Sequence, residues 1–220
     1  MDILFVILEY IGVIAFSVSG AMVSIHREAD LFGVVFLSVM TAFGGGIVRD
    51  LCLGITPPSF FVNSGIKVTV SIFTAVAVFV TAAVLKKRYV RGEERINAIN
   101  NIFDAIGLGI FAVCGTEIAI GAGADGAFIA IVMGLITGIG GGIFRDLCLG
   151  TVPFVIRKRV YAVATLAGST TYYILAAVLG VSAFYATLAG VAVTFTLRMC
   201  ATVFKWNMPK AIRFSEFENK

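Results

Sequence analysis

The stretch "GGGIVRDLCLG", residues 44–54, lies inside an apolar run and returns as "GGGIFRDLCLG" at residues 140–150, 96 positions later. Glycine costs roughly 1 kcal/mol against alanine inside a helix, and a charge inside a membrane segment costs more. A sequence that accepts both expenses twice needs a physical reason for them.

The surroundings supply the solvent. Of 220 residues 59% are hydrophobic and only 14% charged, with a mean hydropathy of +1.00. A soluble domain cannot bury that much apolar surface, so a lipid bilayer is the expected medium. A run of roughly 17–25 apolar residues crosses the hydrocarbon core, and such runs fall at about 3–25, 31–54, 66–85, 98–120, 126–150, 157–180 and 182–204. The expected fold is an all-α integral membrane protein of seven short-looped helices. The first run has no basic leader and contains Glu9, so it reads as a retained span and not a cleaved signal.

Repetition organises the chain. With one register slip in the first inter-span loop, residues 8–54 align with 103–150: Glu9 faces Asp104, Gly12 faces Gly107, Phe16 faces Phe111, Gly20 faces Gly115, Asp30 faces Asp125, and Thr41 faces Thr137. Each unit holds three spans, so the second copy enters the membrane from the opposite face. The expected arrangement is an inverted 3+3 repeat plus one helix, an architecture of transport proteins with a site at the repeat interface. The parts are residues 1–97, the first repeat with its basic linker; 98–181, the second repeat; and 182–220, the seventh helix with a short tail. Small residues of the seventh helix (Ala186, Ala189, Gly190, Ala192) suit close packing, including packing between protomers.

The glycine triplets admit two readings. As helix breaks, Gly44, Gly45, Gly46 and Gly140, Gly141, Gly142 free the backbone carbonyls of Phe43, Gly44, Ile139 and Gly140 for a passing K⁺ or Na⁺, with the hydroxyls of Thr41 and Thr137 one turn earlier. As packing devices, they let two helices approach closely. Equal depth in two oppositely directed spans favours the breaks, since Gly45 lies roughly 21 Å beyond Leu31. The intramembrane charges are Arg49, Asp50, Arg145, Asp146, Glu9 and Asp104. Neighbours on a helix project about 100° apart, so each arginine is expected to pair with an acid on another span, Arg49 with Glu9 or Asp104 and Arg145 with the symmetry-related acid. Glu117, with no acidic counterpart in the first repeat, is expected to serve packing or an interface.

Charge distribution sets the orientation. The side holding the 1–2, 3–4 and 5–6 loops and the C-terminus carries Arg27, Lys86, Lys87, Arg88, Arg91, Arg95, Arg157, Lys158, Arg159, Lys205, Lys210, Arg213 and Lys220; the other side carries Lys67. The basic side is therefore expected in the cytoplasm and the N-terminus outside. The run "KKRYVRGEER" is a topology determinant beside lipid headgroups, and nucleic acid is not an expected partner. His26 reads as a solvated loop residue and the four cysteines as buried small hydrophobes. No cluster of metal ligands and no nucleophile–base arrangement stands out, so neither an enzyme nor a cofactor is expected.

Two copies of G-G-G-[IV]-x-R-D in this three-plus-three-plus-one pattern resemble the trimeric intracellular cation channels, in particular their bacterial branch, also known as "glycine transporter" domain membrane proteins. The resemblance covers nearly the whole chain. It implies a homotrimer in the bacterial inner membrane, with a pore in every protomer lined by glycine-broken second and fifth spans together with spans one and four. The implied activity is conduction of K⁺, and also of Na⁺, past the motif residues at 44–46, 49–50, 140–142 and 145–146. The K-E-V sequence and the basic lipid-binding residues of animal members are absent, and Glu9 stands where bacterial relatives commonly carry Asp. Beyond the permeant ions, a bound lipid is the one further ligand this setting admits. The alternative is a secondary transporter of a small zwitterion such as glycine, its carboxylate held by arginine and its ammonium by Asp104.

Overall fold

The computed structural model describes residues 3–157 and 160–206. Among them every regular element is helical. In chain order these are α1 (Ile3–His26), α2 (Leu31–Cys52), the short α3 (Ser59–Asn63), α4 (Gly65–Val84), α5 (Lys86–Arg91), α6 (Glu93–Gly121), α7 (Ala127–Cys148), the short α8 (Phe154–Arg157), α9 (Val160–Tyr173), which continues as a π-helical turn at Ile174–Val178, and α10 (Ala183–Val203). Seven are long and apolar enough to cross a membrane: α1, α2, α4, α6, α7, α9 with its π-helical turn, and α10. The fourth span differs most from expectation. Its helix starts at Glu93, within the basic linker, where Glu93 and Glu94 complement the positive end of the helix dipole. Of the basic residues used for orientation, Lys158, Arg159, Lys210, Arg213 and Lys220 lie outside the described residues.

The two halves repeat element by element, α1–α2–α3–α4 against α6–α7–α8–α9, and their contacts are reciprocal. Gly12 packs against the Phe111 ring, and its counterpart Gly107 packs against the Phe16 ring. Gly20 meets Thr41 as Gly115 meets Thr137. A Cβ placed on Gly45 would overlap the Thr137 carbonyl, and one placed on Gly141 would overlap the Thr41 carbonyl. Contacts that exchange in this way are those that a two-fold relation between the halves requires.

These contacts decide between the two readings of the glycine triplets. Helices α2 and α7 run without interruption through residues 44–46 and 140–142, so the expected breaks are not present. The carbonyls of Phe43, Gly44, Ile139 and Gly140 stay within the helical ladder instead of opening to an ion. The glycines remove the side chains that would hold the two helices apart where they cross, and small residues serve this purpose throughout membranes. The last glycine of each copy ends its helix. Gly54 (φ +71°) and Gly150 (φ +64°) adopt the left-handed conformation, and the amides of Ile55 and Thr151 return to the carbonyls of Asp50 and Asp146 at 2.8 and 2.9 Å. That is the helix stop glycine makes cheaply.

Helix α6 is the most enclosed span, packed against α1, α7, α9 and α10. The core between the halves gathers Val13, Phe16, Phe43, Leu108, Phe111 and Tyr161. Of the small residues of α10, Ala186 and Gly190 are buried within the protomer, with Gly190 facing Gly168 of α9, whereas Ala192 is exposed. Large exposed apolar residues such as Ile3, Ile7, Phe73, Val84, Phe184 and Leu188 cover the outside.

Candidate ion pathway

Two charged cavities flank the crossing of α2 and α7. One, of about 70 Å³, is lined by Glu9, Val13, Gly46, Arg49, Asp50, Lys67 and Phe111, among others. The second, of about 140 Å³, is lined by Val23, Arg27, Asn100, Asp104, Arg145, Asp146 and Arg198, among others. They lie at opposite ends of α1, since Val23 follows Glu9 by about 14 residues, or roughly 21 Å. Along α6 the order reverses: Asp104 belongs to the second cavity and Phe111 to the first. The equivalent helices α1 and α6 are therefore antiparallel. Between the cavities sit Phe16 and Leu108, with the Phe16 and Phe111 rings 5.1 Å apart.

The arginine–aspartate pairs of the motif are local, against expectation. In the first copy Arg49 Nε and Nη2 donate to Asp50 Oδ1 at 2.9 and 2.6 Å. In the second, Arg145 Nε donates to Asp146 Oδ1 at 2.9 Å, its Nη2 stands 2.8 Å from the same oxygen, and its Nη1 donates to Ser19 at 3.3 Å. The expected pairing of Arg49 with Glu9 or Asp104 is thus overturned, as is its symmetry-related counterpart. Adjacent Cβ atoms do diverge, but a guanidinium on three methylenes is long enough to fold back. The other aspartate oxygen accepts the backbone N–H of the following short helix: Asp50 from Ser59 at 2.8 Å, Asp146 from Phe154 at 2.7 Å. Each aspartate therefore satisfies a buried charge and anchors a helix start.

The acids of the first and fourth spans have other partners. Glu9 receives Lys67 of α4. Asp104 accepts the Tyr161 hydroxyl at 3.3 Å and stands 3.6 Å from Arg198 Nη2. Arg198 is 3% exposed, and its guanidinium carbon lies 5.0 and 4.9 Å from the Phe154 and Tyr161 ring centroids. Sequence reasoning missed it, although its signal was available: a single arginine in the last apolar run needs an acid, and Asp104 was assigned only to the motif arginines. Thr41 and Thr137 each donate their hydroxyl to the carbonyl four residues back, both at 2.6 Å. Thr137 also lines the Glu9 cavity, whereas Thr41 is buried under Gly20. Glu117 accepts the Tyr172 hydroxyl at 2.6 Å, a packing bond as expected.

Fold and site together define a multi-pass helical membrane protein built from a doubled module, with a charged cavity at each end of the crossing. The family described as "Glycine transporter" matches twice, at residues 6–83 and 101–177, in line with the duplication. The "UPF0126 membrane protein YvgT" of Bacillus subtilis is 34% identical over 92% of this chain and 94% of its own. The "UPF0126 inner membrane protein YadS" of Escherichia coli is 33% identical over 91% and 92%. A solved TRIC cation channel is 33% identical over 96% of this chain and 98% of its own, with a TM-score of 0.82. The TRIC trimeric intracellular cation channel orthologue from Rhodobacter sphaeroides is 35% identical over 93% and 100%, with a TM-score of 0.81. The chain belongs to the family these proteins share, that of the TRIC channels.

Proposed function

We propose that the protein is a homotrimeric channel for monovalent cations, K⁺ and also Na⁺, with one pathway through each protomer. The pathway joins the Glu9 cavity to the Asp104 cavity past the crossing of α2 and α7, and the Phe16–Phe111 layer is its closed constriction. The observation that carries this reading is the placement of two small charged cavities at opposite ends of the glycine crossing. The solved relatives named for cation conduction and for trimeric assembly support it. In this reading the motif residues tune the pathway from its walls: Arg49–Asp50 and Arg145–Asp146 border the cavities as neutral pairs. Gly44, Gly45, Gly46, Gly140, Gly141 and Gly142 let the two lining helices meet. The distribution of basic residues supports an inner-membrane protein with the N-terminus outside and the C-terminus in the cytoplasm.

A second reading, transport of glycine or a similar zwitterion, draws on the family's description. Reconstitution of the purified protein in planar bilayers under a KCl gradient separates the two. Discrete current steps reversing near the K⁺ equilibrium potential are expected. Electrical silence together with saturable glycine counterflow in proteoliposomes would establish the carrier instead.

A further inference from the structure

Helix α10 lies outside the duplication, yet it delivers a charge to the Asp104 cavity. Arg198 has no counterpart in the first repeat, whose own acid, Glu9, is neutralised by Lys67 from within that repeat. The two acids therefore differ in where their cation comes from. The Arg198 ion pair is also the looser of the two buried arginine pairs of this cavity: Arg198 Nη2 stands 3.6 Å from Asp104, whereas Arg145 Nη2 stands 2.8 Å from Asp146. Its Nη1 donates to Thr202 on its own helix at 2.9 Å. Its Nε is buried without a hydrogen-bond partner. What otherwise holds the guanidinium is the pair of ring faces, Phe154 and Tyr161, an interaction that orients a cation without neutralising it.

Charge makes the consequence concrete. Three arginines (Arg27, Arg145, Arg198) line this cavity with two aspartates (Asp104, Asp146). The Glu9 cavity carries two cations (Arg49, Lys67) and two acids (Glu9, Asp50). A cation entering from the Asp104 side meets an excess positive charge, whereas one entering from the Glu9 side does not. The guanidinium also occupies the place beside Asp104 that a dehydrated cation would take.

We propose that Arg198 is a tethered counter-cation of Asp104, which lowers the cation affinity of this cavity and makes conduction unequal in the two directions. The assignment rests on the channel reading above. Phe154 and Tyr161 hold the guanidinium in the cavity, and Asp104 supplies the charge it shares with the passing ion.

The test is single-channel recording of the full-length protein in symmetric KCl, reading the ratio of current magnitudes at equal positive and negative voltage. Arg198→Gln should change that ratio roughly two- to fivefold, the effect of one unit charge at several ångströms on local ion concentration. Arg198→Lys, which keeps the charge and loses the planar fork, should stay near wild type. The double variant Asp104→Asn/Arg198→Gln restores the cavity's net charge and should return the ratio toward wild type. A purely structural clamp predicts the opposite, because the double variant loses the same contacts. A conducting wild type with an unchanged ratio in Arg198→Gln overturns the assignment alone, as does a double variant as displaced as the single one. A silent wild type overturns the channel reading and this assignment together.

Discussion

The two charged cavities are built from one duplicated module, and they have diverged in their ion pairs but not in their backbone. At the Glu9 end every charge comes from the repeat itself: Glu9 from α1, Arg49 and Asp50 from α2, Lys67 from α4. At the Asp104 end the equivalent acid takes a hydroxyl from α9 and a guanidinium from α10, which is not part of the duplication. What has stayed the same is the local circuit of the motif: arginine onto the next aspartate, aspartate onto the next helix start, glycine closing the helix end. The circuit is a folding device and must be satisfied in both copies. The acid of the preceding span needs only some cation, so its partner was free to change.

This division can be broken where it claims sameness. Removing the aspartate should cost both halves most, because it strands a buried guanidinium and leaves a helix start uncapped. Asp50→Ala and Asp146→Ala should each destabilise the protein by about 3–5 kcal/mol, measured as a loss of the folded fraction in detergent by size-exclusion chromatography and thermal unfolding. A clear loss in one half and none in the other would mean that the shared circuit is not structural. Next in size are Gly45→Ala and Gly141→Ala, whose added carbons would overlap a partner carbonyl. Each should cost about 1–3 kcal/mol as overpacking and reduce K⁺ flux by widening the crossing. Full flux with full stability in both would mean that the crossing does not depend on these glycines.

The fold was legible because it rests on features sequence displays directly: seven apolar runs and a doubled motif whose parity implies opposite insertion. The charged residues that line the two cavities were legible, but their pairings were not. Glu9, Asp104, Arg49 and Arg145 all line the cavities, yet the argument from helix angles sent the arginines to the wrong partners. Helix angles fix Cβ directions, whereas a long guanidinium side chain can turn back on its own helix. The glycines misled differently. Their intrinsic helix penalty is small beside the gain of close interhelical contact, so tertiary packing kept α2 and α7 intact. Arg198 was not legible from the repeat, because it lies on α10, the one membrane-length helix outside the duplication among the described residues.

The finest comparison is between the two cations that neutralise the repeat's acids. Lys67 and Glu9 are partly exposed, with side chains 21% and 14% accessible, against 4% and 7% for Arg198 and Asp104. Water and salt screen the more open pair. Lys67→Gln should therefore displace the current ratio in the sense opposite to Arg198→Gln, since it acts on the other end, and by less, roughly up to twofold. Raising KCl should shrink the Lys67 effect before it shrinks the Arg198 effect, because the more buried charge is the less screened one. A shift in the same sense for both variants would mean that the cavities do not lie in series, and a larger shift for Lys67 would place the controlling charge at the Glu9 end.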